Sequence, residues 1–140
     1  MEKKDYTIFM VDDDQMFLKA FSRKVQNSTN VTVKSFSNAE DCLAAIEEKP
    51  DMIITDFYLA NGREDRMNGD QLLKKVNASN YNIPVMVMSA QEQSAFVLDL
   101  LQMGAVDYID KNTKTLEDSL FWISKMIMKM KKEYYQKEQS

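Results

Sequence analysis

Residues 52–56 read Met52-Ile53-Ile54-Thr55-Asp56, a short apolar run that ends on a carboxylate. A run this short and this uniformly apolar is a strand rather than a helix, one covered on both faces as in a parallel sheet. The pattern returns on either side. Thr7–Val11 runs into Asp12-Asp13-Asp14, Pro84–Met88 into Ser89-Ala90, and Val106–Ile109 into Asp110-Lys111. Val31–Phe36 ends with nothing polar, as an edge strand away from a ligand crevice would. Pro84 opens its strand, where a missing N–H does least harm.

Helix-period segments fill the gaps. Asp14 is placed to cap a first helix that buries Phe17, Leu18, Phe21 and Val25. Ser37 and Glu40 have capping-box spacing ahead of Ala39–Glu48, and Pro50 stops that helix. A third helix spans about Asp70–Asn77 with Leu72, Leu73 and Val76 inward, and a fourth spans about Gln91–Met103 and stops at Gly104. Thr115 and Asp118 open the fifth. Five such strand–helix units predict an α/β fold: a doubly wound, five-stranded parallel sheet of order 2-1-3-4-5, with its ligand crevice at the carboxyl ends of the strands.

Composition narrows the chemistry. The chain of 140 residues has no histidine and one cysteine, Cys42. That excludes Ser-His-Asp and Cys-His catalysis, histidine-ligated metals, a phosphohistidine carrier and any disulfide framework. An oxygen-rich inventory suits hard cations. Residues 1–110 carry a net charge of −7 and residues 111–140 a net of +3, so direct nucleic-acid binding is not expected. There is no apolar run of membrane-spanning length and no signal-peptide pattern, which implies no membrane contact and a cytoplasmic location.

The strand ends converge on that crevice. Each residue has an ordinary reading by itself: Asp14 and Asp56 as caps, Ser89 with Glu92 as a capping box, Lys111 as a surface lysine. Together they gather carboxylates, a hydroxyl and an ammonium. Clustered carboxylates raise one another's pKa unless a cation sits among them, and Mg²⁺ suits such a site. A carboxylate can also act as nucleophile toward a phosphoryl group, giving an aspartyl phosphate. The remaining needs of phosphoryl transfer are positioning and charge neutralisation.

With these residues in view, the runs IFMVDDD, MIITDFYL, PVMVMSA and AVDYIDK resemble the receiver (CheY-like) domain of two-component response regulators over about residues 5–125. The resemblance implies a flavodoxin-like fold and a phospho-accepting Asp56. It implies Mg²⁺, with Mn²⁺ as a substitute, held by Asp12, Asp13, Asp56 and the backbone carbonyl of Tyr58, Asp12 acting mostly through water. Ser89 matches the switch hydroxyl, Tyr108 the switch aromatic and Lys111 the phosphate-binding lysine. Tyr58 and Gln91 occupy the positions that modulate phosphoform lifetime. The implied partners are a sensor histidine kinase or a histidine phosphotransfer protein. The implied activity is signalling by self-phosphorylation and self-dephosphorylation, without an external turnover substrate. Three positions depart from the family pattern: Ala60 and Asn112 stand where prolines are usual, and Gly69 comes about five residues late.

Rival readings leave residues unexplained. A haloacid-dehalogenase-like phosphatase would read Asp12-Asp13-Asp14-Gln15 as its nucleophile motif, but it lacks cap-domain length and gives Asp56 no role. A pseudo-receiver would have lost the acceptor, an acidic residue or the lysine. FMN binding fails because the three aspartates would repel the phosphate.

Two segments stand outside the regular pattern. The polar stretch Ala60–Asn68 is long for a βα loop. It is either a partner-reading segment or a solvated insertion. In the last helix, Leu116, Leu120, Ile123, Ile127, Met130 and Tyr134 follow heptad spacing. At 1.5 Å per residue, Leu116–Gln136 reaches about 32 Å where about 18 Å would cover a sheet. The chain is therefore expected to divide into a receiver domain at 1–125 and a helical extension at 126–140. The extension would serve as a linker or dimer helix, with a homodimer through the fourth and fifth helices.

Overall fold

The sheet of the computed structural model, which describes residues 6–29, 31–60, 63–90, 94–111 and 116–139, has five parallel strands in the order β2-β1-β3-β4-β5. The strands are β1 (Thr7–Val11), β2 (Thr32–Phe36), β3 (Met52–Asp56), β4 (Val85–Ser89) and β5 (Asp107–Asp110). Between them run α1 (Gln15–Thr29), α2 (Ala39–Ala44), α3 (Gly69–Ala78) and α4 (Ser94–Gln102), and α5 (Leu116–Gln139) follows the last strand. β3 and β4 are buried throughout and β1 nearly so, while the edge strand β2 is mostly exposed.

Period-two alternation sorts the strand residues onto two cores. Ile8, Met10, Ile54, Met86 and Met88 pack with Leu18, Phe21 and Val25 of α1 and with Leu120, Ile123 and Ile127 of α5. Phe9, Val11, Ile53, Val85 and Val87 face Cys42 of α2, Leu72, Leu73 and Val76 of α3, and Leu100 of α4. Each fully buried side chain of this size contributes about 1.5–3 kcal/mol. Covering both faces leaves only the strand ends free to carry polar chemistry.

Local details refine three expectations. The helix expected over Ala39–Glu48 is α only to Ala44; a 3-10 turn, Ile46–Glu48, follows, and Lys49 takes a left-handed φ of 55°. Pro50 accounts for the stop, because a residue preceding proline is driven out of the right-handed α region. The cap of α2 is Asn38 rather than Ser37, its Oδ1 accepting the Asp41 N–H at 2.7 Å, which frees Glu40 for another task. Gly104, at φ 103°, closes α4 as expected. The expected start of α4 at Gln91 and of α5 at Thr115 lie outside the described residues.

The last helix stays in the domain longer than its spacing suggested. Ile127 is buried and Met130 packs against the same core, so the seam faces the body's own sheet and α1 for more than a turn beyond residue 125. Lys131 then lies over the Tyr6 ring at 5.7 Å. Among the described residues no helix is long and apolar enough to cross a membrane.

Candidate functional site

β1 and β3 are neighbours, and both run into aspartates at their carboxyl ends. Asp12 and Asp56 are buried and Asp13 is half-buried, and each offers an oxygen within 4.8 Å of the others. The backbone fixes their orientation. Asp12 Oδ1 accepts the Asp14 N–H at 2.9 Å, and Asp56 Oδ1 accepts the Phe57 N–H at 2.9 Å. Asp14 turns away to cap α1, accepting the Phe17 N–H at 3.1 Å, as its position predicted.

Lys111 comes from the far side, at the end of β5. Its Nζ donates to Asp12 Oδ2 at 2.7 Å and stands 3.4 Å from Asp56 Oδ2. Its backbone N–H binds the Ser89 carbonyl at 2.8 Å, and the Tyr108 hydroxyl donates to that same carbonyl at 3.3 Å. Ser89 is buried, lying one residue past Met88, which pairs with Asp56. The ends of β1, β3, β4 and β5 thus meet as the sequence indicated.

Burial pushes the Asp56 carboxyl up from 3.8 to about 6. The Lys111 ammonium opposes that rise, the neighbouring Asp12 adds to it, and the Phe57 N–H opposes it again. Crowded, partly neutralised carboxylates of this kind are a hard-cation donor set, so the residues fit Mg²⁺ in chemistry and spacing. When bound, the ion would supply charge neutralisation at the oxygens of a transferring phosphoryl group.

Two of the resemblance-based assignments have a different standing. Tyr58 is exposed, its ring edge-on to Phe57 at 4.8 Å. Gln91 lies outside the described residues, as does Asn112.

Three residues at this edge carry roles that the spacing argument passed over. Asn68 ties down the base of the long loop, its Oδ1 accepting the N–H groups of both Leu59 and Ala60 at 2.9 Å. Gln71 returns a bond to the Asn68 N–H at 3.0 Å, so the Asn-x-x-Gln spacing was a readable signal. Glu40, released from capping, accepts the Met67 N–H at 2.6 Å and faces Arg66 at 3.7 Å. Phe17, read only as core, lies under Lys111 with its ring centroid 4.4 Å from Nζ.

Gly69 closes the loop against β3. Its N–H binds the Phe57 carbonyl at 2.7 Å, and a Cβ there would collide with the Asp56 carbonyl oxygen and approach Phe57 Cα to 2.9 Å. Only glycine permits that approach. A polar cavity of about 190 Å³ opens beside it, lined by Asp13, Asn38, Arg63 and Arg66 among others.

The fold and this constellation agree with known proteins. The family model for the response regulator receiver domain matches residues 8–119. The chain is 29% identical over 116 residues to DctR of Bacillus subtilis, named a probable C4-dicarboxylate response regulator, covering 81% of this chain and 49% of that one. It is 29% identical over 105 residues to the DNA-binding transcriptional regulator NtrC of Salmonella typhimurium, covering 74% of this chain and 21% of that protein. The chain therefore spans about half the length of the first relative and about a fifth of the second. A CheY-like receiver domain protein from Methanospirillum hungatei has the same fold, with a TM-score of 0.76 at 24% identity over 93% of this chain and 99% of that one. Receivers of this family are signalling domains that bind Mg²⁺ through an acidic pocket and interact with histidine kinases or phosphotransfer proteins. By its matched family model and its fold, this chain belongs to the receiver domain family of two-component response regulators.

Proposed function

We propose that Asp56 is the phospho-acceptor of this receiver, with Asp12 and Asp13 as its cation-binding partners and Lys111 and Ser89 as its phosphoryl-oxygen contacts. The observation that carries this is the Asp56 carboxylate, buried at the end of β3 between a carboxylate pair and the Lys111 ammonium 3.4 Å away. In the reaction an Asp56 oxygen bonds to phosphorus as the bond from phosphorus to the donor's imidazole nitrogen, or to acetate oxygen, breaks. The leaving group departs with that electron pair. Lys111 and the Ser89 hydroxyl meet the transferred oxygens, and the Tyr58 backbone carbonyl would join Asp12, Asp13 and Asp56 in holding Mg²⁺ or Mn²⁺, which would supply charge neutralisation. The donor is a sensor histidine kinase or a histidine phosphotransfer protein. Water later attacks the acyl phosphate, so the cycle has no external turnover substrate, and Tyr58 and Gln91, each two positions past the acceptor or the switch hydroxyl in the sequence, tune the rate of that step. A cytoplasmic location suits these donors.

Phosphorylation biases Ser89 and Tyr108 between two arrangements, and the face of α4, β5 and α5 reads the difference. Leu98, Leu101, Phe121 and Trp122 are exposed on those two helices and Val106 just before β5, which supports a homodimer through that face. Ile123 and Ile127 of the heptad seam are buried in the body, which supports a face built from the exposed residues instead. The receiver body accordingly keeps α5 through about residue 130, and only the end of the helix serves as an extension.

The test is intact-mass analysis after incubation with Mg²⁺ and acetyl phosphate. One hydroxylamine-labile phosphoryl group is expected on the wild type and none on Asp56→Asn. A single label on another residue of the Asn variant, at the wild-type rate, would defeat the assignment.

A further inference from the structure

The Lys111 ammonium has three N–H bonds and, among the described residues, three close neighbours. Two are carboxylates, Asp12 Oδ2 at 2.7 Å and Asp56 Oδ2 at 3.4 Å. The third is the face of Phe17, its centroid 4.4 Å away. Phe17 is itself held from below, nearly parallel to Phe21 at 5.4 Å and 12°, and Phe21 is fully buried in the core. These two residues are one helical turn apart, which is why their rings meet. The Asp14 carboxylate fixes the start of the same turn through the Phe17 N–H. The ring's place is therefore set by its stack on Phe21 and by the start of α1.

Resting on the reading of Asp56 as acceptor, we propose that Phe17 is a positioning residue for Lys111, seating the ammonium beside Asp56 through the face of its ring. A ring face attracts a cation electrostatically without demanding one bond direction. Asp12 belongs to the carboxylate cluster that fits a divalent cation, so its oxygens have a second claimant. Asp56 changes its charge and shape when it is phosphorylated. Of these three described contacts, the ring is neither a metal-site oxygen nor the group that is phosphorylated, so it is the contact Lys111 keeps throughout the cycle. A carboxylate at position 17 would hold the ammonium against the phosphoryl group. An aliphatic side chain would fill space but leave the long lysine chain free to sample other rotamers.

The experiment follows acetyl phosphate labelling of the full chain in Phe17→Leu, Phe17→Tyr, Lys111→Met and the Phe17→Leu/Lys111→Met double variant. Phe17→Leu should lower the maximal labelling rate about three- to tenfold with little change in half-saturating acetyl phosphate. Phe17→Tyr, which keeps the ring face, should label close to wild type. In the Lys111→Met background the Leu substitution should cost nothing further, whereas equal losses in both backgrounds would make Phe17 a packing residue only and overturn the proposal. NMR of the wild type gives a readout independent of folding in the variants. The Lys111 ε-methylene protons should be shifted upfield by the ring current and should return toward ordinary values in Phe17→Leu. Unshifted protons in the wild type would overturn the proposal even if the Leu variant failed to fold. Asp56→Asn separates the two claims: its continued labelling would sink the acceptor reading. No label there, with wild-type kinetics in Phe17→Leu, would sink only the role of Phe17.

Discussion

Across its middle the sheet carries Ile8, Met10, Ile54, Met86 and Met88 with almost no exposure, and one or two residues further along the same strands it carries Asp12, Asp56 and Ser89, also buried. Burial is the same in the two rows and its energetic sign is opposite. In the middle row it removes apolar surface from water and stabilises the fold. At the carboxyl end it strips water from charges that must find partners, and Asp56 finds too few, as its raised pKa records. The receiver holds its reactive edge in place with its interior. Stability and labelling should therefore separate along a single strand, and Ile54 and Asp56, two residues apart on β3, are the places to try.

The largest effect belongs to the middle row. Ile54→Ala should cost about 2–5 kcal/mol in urea unfolding, against a total of about 5–15 kcal/mol for a typical domain. The folded fraction should still accept a phosphoryl group on Asp56. If folded Ile54→Ala protein lost labelling outright, the two rows would not be separable.

Next comes the residue where the rows touch. Gly69→Ala places a methyl group against the Asp56 carbonyl and Phe57 Cα, both backbone atoms that cannot swing aside. A loss of about 1–3 kcal/mol is expected, together with slower labelling, because the strain falls on the peptide of Asp56, the proposed acceptor. Thermal unfolding and acetyl phosphate kinetics of one preparation would check both. A destabilised protein with wild-type kinetics would show that the loop base is uncoupled from the site.

Asp56→Asn tests the edge itself, where the sign reverses. The folded carboxyl titrates near 6 against 3.8 ordinarily, so between those values the folded state binds more protons than the unfolded state. Stability without divalent cation should then fall as pH rises from about 4 to about 6, and stay low above that. The Asn variant has no such charge to bury. It should be more stable than wild type at pH 7 by about 1–3 kcal/mol, with the gap closing toward pH 4. Added Mg²⁺ should raise the wild type toward the variant. A less stable Asn variant at pH 7 would mean that Lys111 overcompensates the burial of Asp56.

Much of this was readable from residue order. Apolar runs ending in Asp12, Asp56, Ser89 and Lys111 pointed to the strands and to one shared crevice where these side chains gather, because in a parallel sheet strand direction alone puts every carboxyl end on one edge. What escaped were contacts between elements that sequence spacing does not relate. The ring of Phe17 faces Lys111 across 94 positions of chain, and its i, i+4 pairing with Phe21 reads equally well as core. Glu40 looked like half of a capping box because its partner, Met67, belongs to a different loop. The heptad seam of α5 was legible as apolar spacing, but spacing cannot say whether a stripe faces its own domain or another. Here it faces its own through Ile127 and Met130.

That seam yields the smallest expected effect and sharpens the comparison at its far end. Past Met130 the described side chains of α5 are largely exposed, Lys132, Glu133, Gln136 and Lys137 among them, and Tyr135 is 40% exposed. Lys131 there lies over the Tyr6 ring of the body. Ending the chain after Lys131 keeps that contact and removes a stretch whose described side chains are largely exposed. The cost should be within about 0.5 kcal/mol, as for surface changes elsewhere, while Ile127→Ala one turn earlier should cost about 2–5 kcal/mol. Labelling of Asp56 should be unchanged by the truncation, since its site lies at the opposite end of β5 from any part of the removed segment's helix turns. A truncation cost that grows with protein concentration would show instead that the last turns of α5 are stabilised by a second copy. Sedimentation of the full-length and shortened chains, with and without a beryllofluoride mimic of the phosphoryl group, distinguishes that outcome from a contact within one molecule.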